Sequence, residues 1–501
     1  MGRVQSIRDI NGVQTDIEYD PHGRVLTRKV RGADNEVESD DQVTRIAYNA
    51  VGAVQEVRLP DGVITRYEYD AVQRLTGIVD SNDNRMRFVL NAAGERVRED
   101  VQDASGSLLR TLSRTYDMLG NLHQQLDAQN HASTFLYDAE DNLTLETDRL
   151  GRKTRHEYDA LGRLRNTLQD VDGVAASTQF QYDAQDRVTQ VLDPNGLPTS
   201  YQYNGFGDLV RQESPDTGVA TTTYDEAGNL KTRTDARGIT ATYGYDVLNR
   251  ITSVAYPDNS RNTGFVYDTS PAECPAIERF HLGRLARMND ASGSTLYCYD
   301  RFGYLTRSLQ STQGRTFVLA YQRAYPGAVG NGYLLRPRPA DGHLYGLTYP
   351  DGAKTNINRN NLRQVSSITV TLVNGQVQTL LSGAVYYPFG PVSQWTYGNG
   401  RVMRRSRNQD YQPGFIETSG PGGLSLGYWF DAAGNLESLR RADQADPARR
   451  KYRYDGLNRL TEVRDGATDA VLQAYAYDKT GNRSRRTDGT AGQDYVYVPG
   501  K

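Results

Sequence analysis

The chain has 501 residues, a formal net charge of -3 and a hydrophobic fraction of 37%. Its opposite charges are interspersed, so no basic stripe is present that would neutralise a nucleic-acid backbone, and nucleic acid is not an expected partner. No stretch approaches the roughly 18 apolar residues of a membrane-spanning helix, and no apolar signal segment opens the chain, so we expect no membrane insertion by this segment.

A short motif recurs along the chain at an almost constant interval. The tyrosines that mark its most regular part lie mostly 21 residues apart, at Tyr116, Tyr137, Tyr158, Tyr182, Tyr203, Tyr224 and Tyr245. Asp or Asn follows each tyrosine, and three residues later comes Gly, Asp or Asn, then usually Arg or Asn and an aliphatic residue. The unit reads Tyr-Asp-x-x-Gly-Arg/Asn-Leu, and a fixed period of this size indicates repeated supersecondary units.

Each motif has the residues of a tight bend. Asp opens a turn by accepting a hydrogen bond from the backbone two residues on, and Gly, Asn or Asp three residues later tolerates a left-handed conformation. A second turn lies midway between successive bends, as in Asp193-Pro194-Asn195-Gly196. The pieces between turns alternate and are rich in Thr, Tyr and Val. Each repeat is therefore predicted to form two antiparallel strands and two turns.

The bends are the predicted structural sites of the chain. They comprise Tyr116, Asp117, Gly120, Tyr137, Asp138, Tyr158, Asp159, Gly162, Tyr182, Asp183, Tyr203, Gly207, Tyr224, Asp225, Gly228, Tyr245 and Asp246. No residue is assigned a catalytic, cofactor-binding or metal-binding role, and the chain is not expected to be an enzyme or to need a cofactor.

The motif divides the chain into three parts. Residues 1–305 form one repeat array, and residues 426–501 form a second that stops in mid-repeat. Between them, in 306–425, the motif lapses into loops rich in Gly and Pro and longer strand-like pieces such as residues 366–373. We interpret this part as an irregular, longer-stranded section of the same sheet.

Two strands per repeat amount to about 40 strands, which at ~4.8 Å each would make a sheet ~190 Å wide. Sheets much beyond about 10 strands twist and must curl or split. A hairpin strip of this width is expected to spiral around an interior too wide for side chains to fill. The predicted fold is an all-β, antiparallel hairpin array that spirals into a large hollow shell.

The motif at this spacing resembles the YD repeat of bacterial Rhs proteins, insecticidal toxin-complex shells and animal teneurins. The stretch from Tyr387 to Pro391, followed by Trp395 and Gly398-Asn399-Gly400, is similar to a stretch of bacterial Rhs cores and favours the bacterial branch. The resemblance implies a shell that encloses a C-terminal toxin domain, which a cleavage block severs inside.

Several expectations follow from that resemblance. The implied function is a structural segment of a polymorphic-toxin shell delivered to competitor cells, in a bacterial protein that is cytoplasmic before it is secreted or injected. Its partners would be the enclosed toxin domain, flanking parts of the same shell and secretion machinery such as a type VI system. The ends read as mid-repeat and the cleavage block is missing, so an incomplete shell is expected. The alternative is an extracellular YD-repeat adhesion surface that binds glycans or a protein receptor.

Three motifs suggest other chemistry and receive a plainer interpretation. Residues 423–427 fit the GxSxG nucleophile elbow around Ser425, but a repeat strand follows instead of the required helix. Residues 193–197, beginning with Asp193, fit the family's cleavage pentapeptide, yet they occupy an ordinary mid-repeat turn. Asp80 heads a calcium-like loop in which Arg85 replaces the needed Gly. All three are predicted to be structural.

Cysteine and histidine give no pattern. Cys274 and Cys298 lie 24 residues apart with no CxxC or histidine partner nearby, so neither a disulfide framework nor a zinc site is indicated. The six histidines are scattered singly, which is typical of surface residues.

Overall fold

The computed structural model describes residues 3–32, 41–323, 342–441 and 448–497. These residues form 42 strands in one sheet, together with two short 3₁₀ helices, Asn259–Arg261 and Ala276–Glu278. Neighbouring strands pair antiparallel in chain order, as β1 does with β2 and β2 with β3. The prediction of an all-β array of antiparallel hairpins is confirmed.

The strands of the first half are β1 (Ser6–Arg8), β2 (Gln14–Tyr19), β3 (Val25–Val30), β4 (Gln42–Tyr48), β5 (Val54–Arg58), β6 (Ile64–Tyr69), β7 (Leu75–Val79), β8 (Arg85–Leu90), β9 (Arg96–Gln102), β10 (Leu108–Tyr116), β11 (Leu122–Leu126), β12 (Ala132–Tyr137), β13 (Leu143–Thr147), β14 (Lys153–Tyr158), β15 (Leu164–Gln169), β16 (Ala176–Tyr182), β17 (Val188–Leu192), β18 (Pro198–Tyr203), β19 (Leu209–Ser214), β20 (Gly218–Tyr224), β21 (Leu230–Thr234) and β22 (Thr240–Tyr245).

The strands of the second half are β23 (Ile251–Ala255), β24 (Thr263–Tyr267), β25 (Leu285–Asp290), β26 (Gly293–Tyr299), β27 (Leu305–Thr312), β28 (Arg315–Arg323), β29 (Leu344–Thr348), β30 (Lys354–Arg359), β31 (Val365–Thr371), β32 (Val377–Tyr386), β33 (Val392–Tyr397), β34 (Val402–Arg407), β35 (Pro413–Thr418), β36 (Ser425–Phe430), β37 (Leu436–Arg440), β38 (Arg450–Tyr454), β39 (Leu460–Asp465), β40 (Val471–Tyr477), β41 (Arg483–Asp488) and β42 (Ala491–Asp494).

The motif sets the register of each hairpin. Between β14 and β15, Glu157 pairs with Asn166, but the next residue, Tyr158, pairs with Leu164. One residue of β15 is therefore left over, which is a β-bulge beside the tyrosine. The same shift recurs at Tyr137 and Tyr182. The bulge is thus a property of the repeat, and it falls at the tyrosine of each regular bend.

The chain contacts divide into two compact units, each built from separate stretches of sequence. The first unit contains Met1–Arg87, Val101–Ser107 and Tyr243–Val402, and the second contains Phe88–Asp100, Leu108–Thr242 and Met403–Lys501. In each unit, turns of an early stretch lie against bends of a late one. Distance along the chain is therefore a poor guide to proximity within either unit.

The buried core is thin. Among the described residues the largest fully buried side chains are His281, Val101, Cys274 and Cys298, and most strand residues keep part of their surface in water. A single-layer sheet with few buried aliphatic side chains gains little from hydrophobic burial. The polar contacts at the bends are therefore central to what holds successive hairpins together.

Candidate functional site

The bend at 158–164 shows how the motif works. The Asp159 carboxylate accepts hydrogen bonds through Oδ1 from the backbone N–H groups of Leu161 (2.9 Å) and Arg163 (3.0 Å). Its Oδ2 accepts a hydrogen bond from Nε of Arg163 at 2.7 Å. Gly162 donates its N–H to the Asp159 carbonyl and has a φ of 74°, in the left-handed region that glycine adopts without strain. One aspartate thus closes the turn and holds the arginine in place.

The other bends of the regular stretch have the same geometry. The carboxylates that accept from the backbone N–H groups two and four residues on belong to Asp117, Asp138, Asp159, Asp183, Asp225 and Asp246. Positive φ values occur at Gly120, Gly162, Gly207 and Gly228. Tyr245 ends β22, at the place that Tyr158 has in β14. The structure thus places each of these predicted residues in a bend.

The tyrosines link each repeat to the one before it. Each phenol donates a hydrogen bond to the backbone carbonyl of the aliphatic residue in the preceding bend, at 2.7–3.0 Å for the pairs Tyr137 with Leu122, Tyr158 with Leu143, Tyr182 with Leu164, Tyr203 with Val188 and Tyr224 with Leu209. Tyr116 donates to Arg96 in the same way at 3.2 Å. Because the acceptor is a backbone atom, the link does not depend on the side chain that it reaches.

Arginine provides the second link between repeats. The Arg163 guanidinium lies 4.8 Å from the ring centre of Tyr182, and one of its Nη atoms donates to the Asp183 carbonyl at 3.1 Å. The same stacking occurs for Arg24 on Tyr48, Arg187 on Tyr203, Arg250 on Tyr267 and Arg459 on Tyr477, at 4.4–5.0 Å. We call this series of contacts the arginine–tyrosine ladder. A cation over an aromatic face is attracted to it even at a partly exposed site.

The ladder also changes the acidity of its members. Hydrogen bonding to the Arg163 side chain and to backbone N–H groups lowers the pKa of Asp159 below its ordinary value. In the bend at 225, the Asn229 side chain and backbone lower the pKa of Asp225 in the same way. These interactions favour the ionised carboxylate, which is the form that the turn requires.

An arginine from outside the ladder completes one bend of the second unit. In the bend at 431, Asn435 occupies the place of the ladder arginine, and its Nδ2 donates to Oδ2 of Asp431 at 3.0 Å and to Oδ1 of Asn458 at 2.6 Å. Arg152, which belongs to a mid-repeat turn, donates instead to the Asp455 carbonyl at 3.1 Å and to Oδ1 of Asn458 at 2.7 Å. Arg152 thus makes the contacts of a ladder arginine from a distant part of the sequence.

The bend at 267 carries an insertion that sequence reasoning missed. Gly follows Asp by three residues in the regular motif, but Gly283 follows Asp268 by fifteen, and Gly283 N–H donates to Oδ1 of Asp268. The extra residues form a loop, 269–282, which packs against β26. Its backbone is joined to that strand by the hydrogen bond from Phe280 N–H to the Tyr299 carbonyl.

The loop corrects our interpretation of the cysteines. Cys274 and Cys298 form a disulfide with their Cα atoms 5.6 Å apart, where we expected no disulfide. Both are buried, at 1% and 0% exposed. The pairing depends on the loop folding back onto β26, and no feature of the repeat motif indicates that fold. A spacing of 24 residues alone therefore could not reveal it.

Two buried titratable groups accompany the disulfide. His281 is 1% exposed, in contrast to the expected surface histidine, and its Nε2 lies 2.7 Å from the Tyr297 carbonyl. Burial raises the pKa of Asp300 to about 6, although this carboxylate accepts the usual hydrogen bond from Tyr304 N–H. The Oδ2 of Asp300 is buried with no hydrogen-bond partner. Ionisation of this carboxyl is therefore unfavourable, whereas it is favourable for the aspartates of the open bends.

The motifs that suggested other chemistry lie within the repeat geometry. Ser425 begins β36 and pairs with Glu417 of β35, so it stands on a strand and not at a strand-to-helix turn. Asp193 accepts hydrogen bonds from the Asn195 and Leu197 N–H groups, as expected of a turn aspartate. The carboxylate of Asp80 is likewise engaged by its own turn.

In the part of the chain that the structure describes, no group of three or more His, Cys, Asp or Glu side chains has the arrangement of a metal site. None of the helices in these same residues is long and apolar enough to span a bilayer.

Family models match part of the repeat array. The Teneurin YD-shell model matches residues 91–309, and the RHS Repeat model matches residues 48–85. The bulge at each tyrosine, the turn aspartates and these matches define an array of YD repeats. The chain belongs to the Rhs/YD-repeat family.

Solved structures and one curated protein are similar to the chain. The crystal structure of TcdB2-TccC3 without its hypervariable C-terminal region has a TM-score of 0.72 at 15% identity, over 97% of this chain and 33% of that one. The Tc holotoxin pore of Photorhabdus luminescens has a TM-score of 0.65 at 16% identity, over 96% and 26%. Double-stranded DNA deaminase toxin A of Burkholderia cenocepacia (strain H111) is 28% identical over 167 residues, 33% of this chain and 10% of that protein. The chain therefore spans a third or less of these relatives.

Proposed function

We propose that this chain is a structural segment of the shell of a bacterial Rhs polymorphic toxin, and that the complete shell encloses a C-terminal toxin domain for delivery to competitor cells. The observation that carries the proposal is the arginine–tyrosine ladder. It joins each hairpin to the next through side chains at the bends, so the strands between the bends can form one continuous sheet, which would be the wall of the shell. The similarity to TcdB2-TccC3 over 97% of this chain supports such a wall.

The proposed partners are an enclosed toxin domain, other parts of the same shell and a secretion machinery such as a type VI system. Delivery from a bacterial cytoplasm would follow from those partners. The relative named as a deaminase toxin supports a toxin cargo, since it shares 28% identity with this chain over 167 residues.

The test is protection of a cargo from protease. A tagged domain of roughly 100 residues, with a radius of gyration near 13 Å, is fused to residues 1–501 and to the same chain extended by its flanking reading frame. We expect the extended form to protect the tag and residues 1–501 alone to leave it accessible. The cargo alone is the control. Protection by either form supports the shell, whereas equal digestion of the tag in both forms and in the control would contradict it.

We further propose that the chain itself is not an enzyme. Ser425 begins a strand and pairs with Glu417, and Asp193 accepts hydrogen bonds from the N–H groups of its own turn. No esterase activity sensitive to Ser425→Ala is expected, and no self-cleavage near residue 193 sensitive to Asp193→Asn. Either activity, if lost in its variant, would refute this part of the proposal.

An extracellular adhesion surface is the second candidate, and one observation favours it. The tips of the bends expose large apolar side chains at Met118, Leu161, Phe206 and Val247, the last two at 95% and 98% exposure. A row of exposed apolar side chains is typical of a contact surface. Cell or glycan binding that is lost on substituting Phe206→Ser and Val247→Ser, together with an unprotected cargo, would favour adhesion over enclosure.

A further inference from the structure

At one step of the second unit, both ladder side chains are replaced. In the step from the bend at 408 to the bend at 431, Gln412 stands where Arg163 stands in the regular bend, and Phe430 stands where Tyr182 stands. Gln412 keeps the short contact of a ladder residue, since its Oε1 accepts from Nδ2 of Asn408 at 2.8 Å. It is uncharged, and it is shorter than arginine. The phenol that would reach the Pro413 carbonyl is absent as well.

A cavity of about 350 Å³ opens at this step. Its walls come from the bends at 408 and 431, the aromatic side of β36 with Trp429 and Phe430, and the mid-repeat turn that begins at Asp127. All of these residues belong to the second unit. The volume lies within the range of small-ligand sites.

At two other steps of the array, an arginine guanidinium occupies the corresponding space. A Cβ placed on Gly52 would lie 2.7 Å from Nη1 of Arg24, and one on Gly303 would lie 2.6 Å from Nη2 of Arg284. The corresponding glycine of the bend at 431 is Gly434, which has a φ of 89° and whose nearest neighbour is Nε2 of Gln412 at 3.2 Å. The glycine that would lie beside a ladder arginine is therefore retained, although the arginine itself is replaced by Gln412.

The next bend shows that an arginine from a distant part of the chain can make the contacts of a ladder arginine. There the ladder residue is Asn435, and Arg152 from a distant turn donates to the Asp455 carbonyl and to Asn458. This contact, like that of Arg163 on Asp183, places a guanidinium against the carbonyl of the bend aspartate. By the same geometry, the Asp431 carbonyl is the atom that would accept a hydrogen bond from a guanidinium in the cavity.

The charges of the cavity favour a cation. Asp127, Asp410 and Asp431 line it, against Arg149 and His131. Arg149 lies 3.6 Å from Asp127, so its charge is directed to that carboxylate. Asp410 accepts the Ala128 N–H through Oδ1, which leaves its Oδ2 to accept from a ligand. Carboxylate oxygens beside aromatic rings suit a planar, delocalised cation.

We propose that this cavity is a receptor site for an alkylguanidinium, the head group of an arginine side chain. The site goes beyond the proposed shell function and does not depend on it. The ligand is either an arginine of another polypeptide or a free small guanidine.

Tryptophan fluorescence can test the site, because Trp429 lines it and Trp395 is the other tryptophan of the chain. In a Trp395→Phe background, agmatine is titrated as a free alkylguanidinium. N-carbamoylputrescine is its isostere, in which a neutral urea replaces the guanidinium and the terminal ammonium is kept. We expect agmatine to bind about tenfold more tightly or better, as the charge-dependent contacts require. An equal response to the two ligands would overturn the proposal. An arginine-containing peptide that binds more tightly than agmatine would identify a polypeptide as the source, and a weaker one would identify a small guanidine.

Gln412→Arg restores the ladder arginine and should fill the cavity from within, which abolishes the response to agmatine. Gln364→Arg is the matched control, because Gln364 makes the same 2.8 Å contact with Asn360 in a bend of the first unit. Asp410→Asn keeps the acceptor for Ala128 and should weaken agmatine binding by about tenfold. Unchanged binding in both Gln412→Arg and Asp410→Asn would exclude this cavity as the site, whether or not one variant folds poorly.

Discussion

The stretch Leu108–Thr242 and the stretch Tyr243–Val402 are built from the same hairpin but are held in different ways. In the first, the bends are open to water, and an ionised aspartate such as Asp159 closes each turn. In the second, the inserted loop 269–282 is bonded to β26 and adds a disulfide, and Asp300, in the bend that follows β26, is buried. The difference teaches that burial at Asp300 removes the advantage that an ionised aspartate has in an open bend. Beside this bend, a disulfide and the buried His281 hold the loop against β26.

Removing the disulfide should have the largest effect on stability. That effect should be confined to the stretch Tyr243–Val402. The double substitution Cys274→Ser and Cys298→Ser is expected to lower the free energy of unfolding of the first unit by about 2–5 kcal/mol, because the link restrains the loop in the unfolded chain. Hydrogen exchange followed by mass spectrometry would locate the change. Amides of β25 and β26 should exchange faster.

The amides of β14 and β15 serve as the internal control, and their exchange should be unchanged because repeat arrays lose structure locally. Adding a thiol reductant should reproduce the effect in the unmodified chain and add nothing to the double variant. Equal acceleration in both stretches would show that the array unfolds as one body and would contradict the comparison.

Asp300 should respond to pH in the opposite direction to Asp159. Its folded pKa of about 6 lies above the ordinary value of 3.8, so its contribution to stability falls as the pH rises from about 4 to 6. We expect Asp300→Asn to raise stability at pH 7.5 by about 2–3 kcal/mol relative to pH 4. Thermal denaturation at both pH values measures this difference.

Asp159→Asn is the matched control for that experiment. The folded pKa of Asp159 is lowered, so its contribution is present above its unfolded pKa and is lost as the pH falls through the folded value. The substitution should therefore destabilise the chain at pH 7.5 and have less effect in acid. If both asparagine variants shift stability in the same direction at pH 7.5, burial of Asp300 is not what separates the two stretches.

Gly162→Val tests the backbone of a regular bend. No heavy atom lies within 4 Å of a Cβ at this position, so the expected cost of about 1–3 kcal/mol comes from the positive φ of 74° alone. Gly205→Val is the control, since a Cβ there also meets open space but its φ is not in the left-handed region. Melting temperatures that fall equally in the two variants would contradict the assigned turn.

The smallest expected effect is the loss of one ladder hydrogen bond. Tyr203→Phe removes the 2.9 Å hydrogen bond to the Val188 carbonyl and should cost about 0.5–1.5 kcal/mol. Tyr201→Phe, two residues away on β18, removes a hydroxyl with no described hydrogen bond and should be neutral. A urea titration that gives the two variants the same midpoint would show that the phenol contributes nothing.

The sequence predicts the regular repeat in detail because each bend depends on residues within a few positions of one another. The turn aspartate Asp159, the left-handed Gly162 and the two strands around them are local features. The spacing of the motif also indicates which strands pair. An antiparallel hairpin needs no information from elsewhere in the chain.

Contacts between distant stretches could not be predicted in this way. Arg152 looks like any other turn residue until Asp455 is placed beside it, and Cys274 looks like a lone cysteine until the loop 269–282 covers β26. Both depend on a fold-back of the chain that the period of the motif does not encode. The burial of His281 escaped prediction for the same reason.

The phenol of each repeat binds a backbone carbonyl, and each turn aspartate binds backbone N–H groups. These bonds place no demand on the side chains that face outward between the bends. A whole repeat can therefore be duplicated or deleted while the joints on either side stay the same, and the number of repeats becomes a variable that inheritance can change one step at a time. Substitutions of the side chains on the two faces of the sheet can therefore change its surface without destabilising it, provided that the tyrosines and aspartates of the bends are retained.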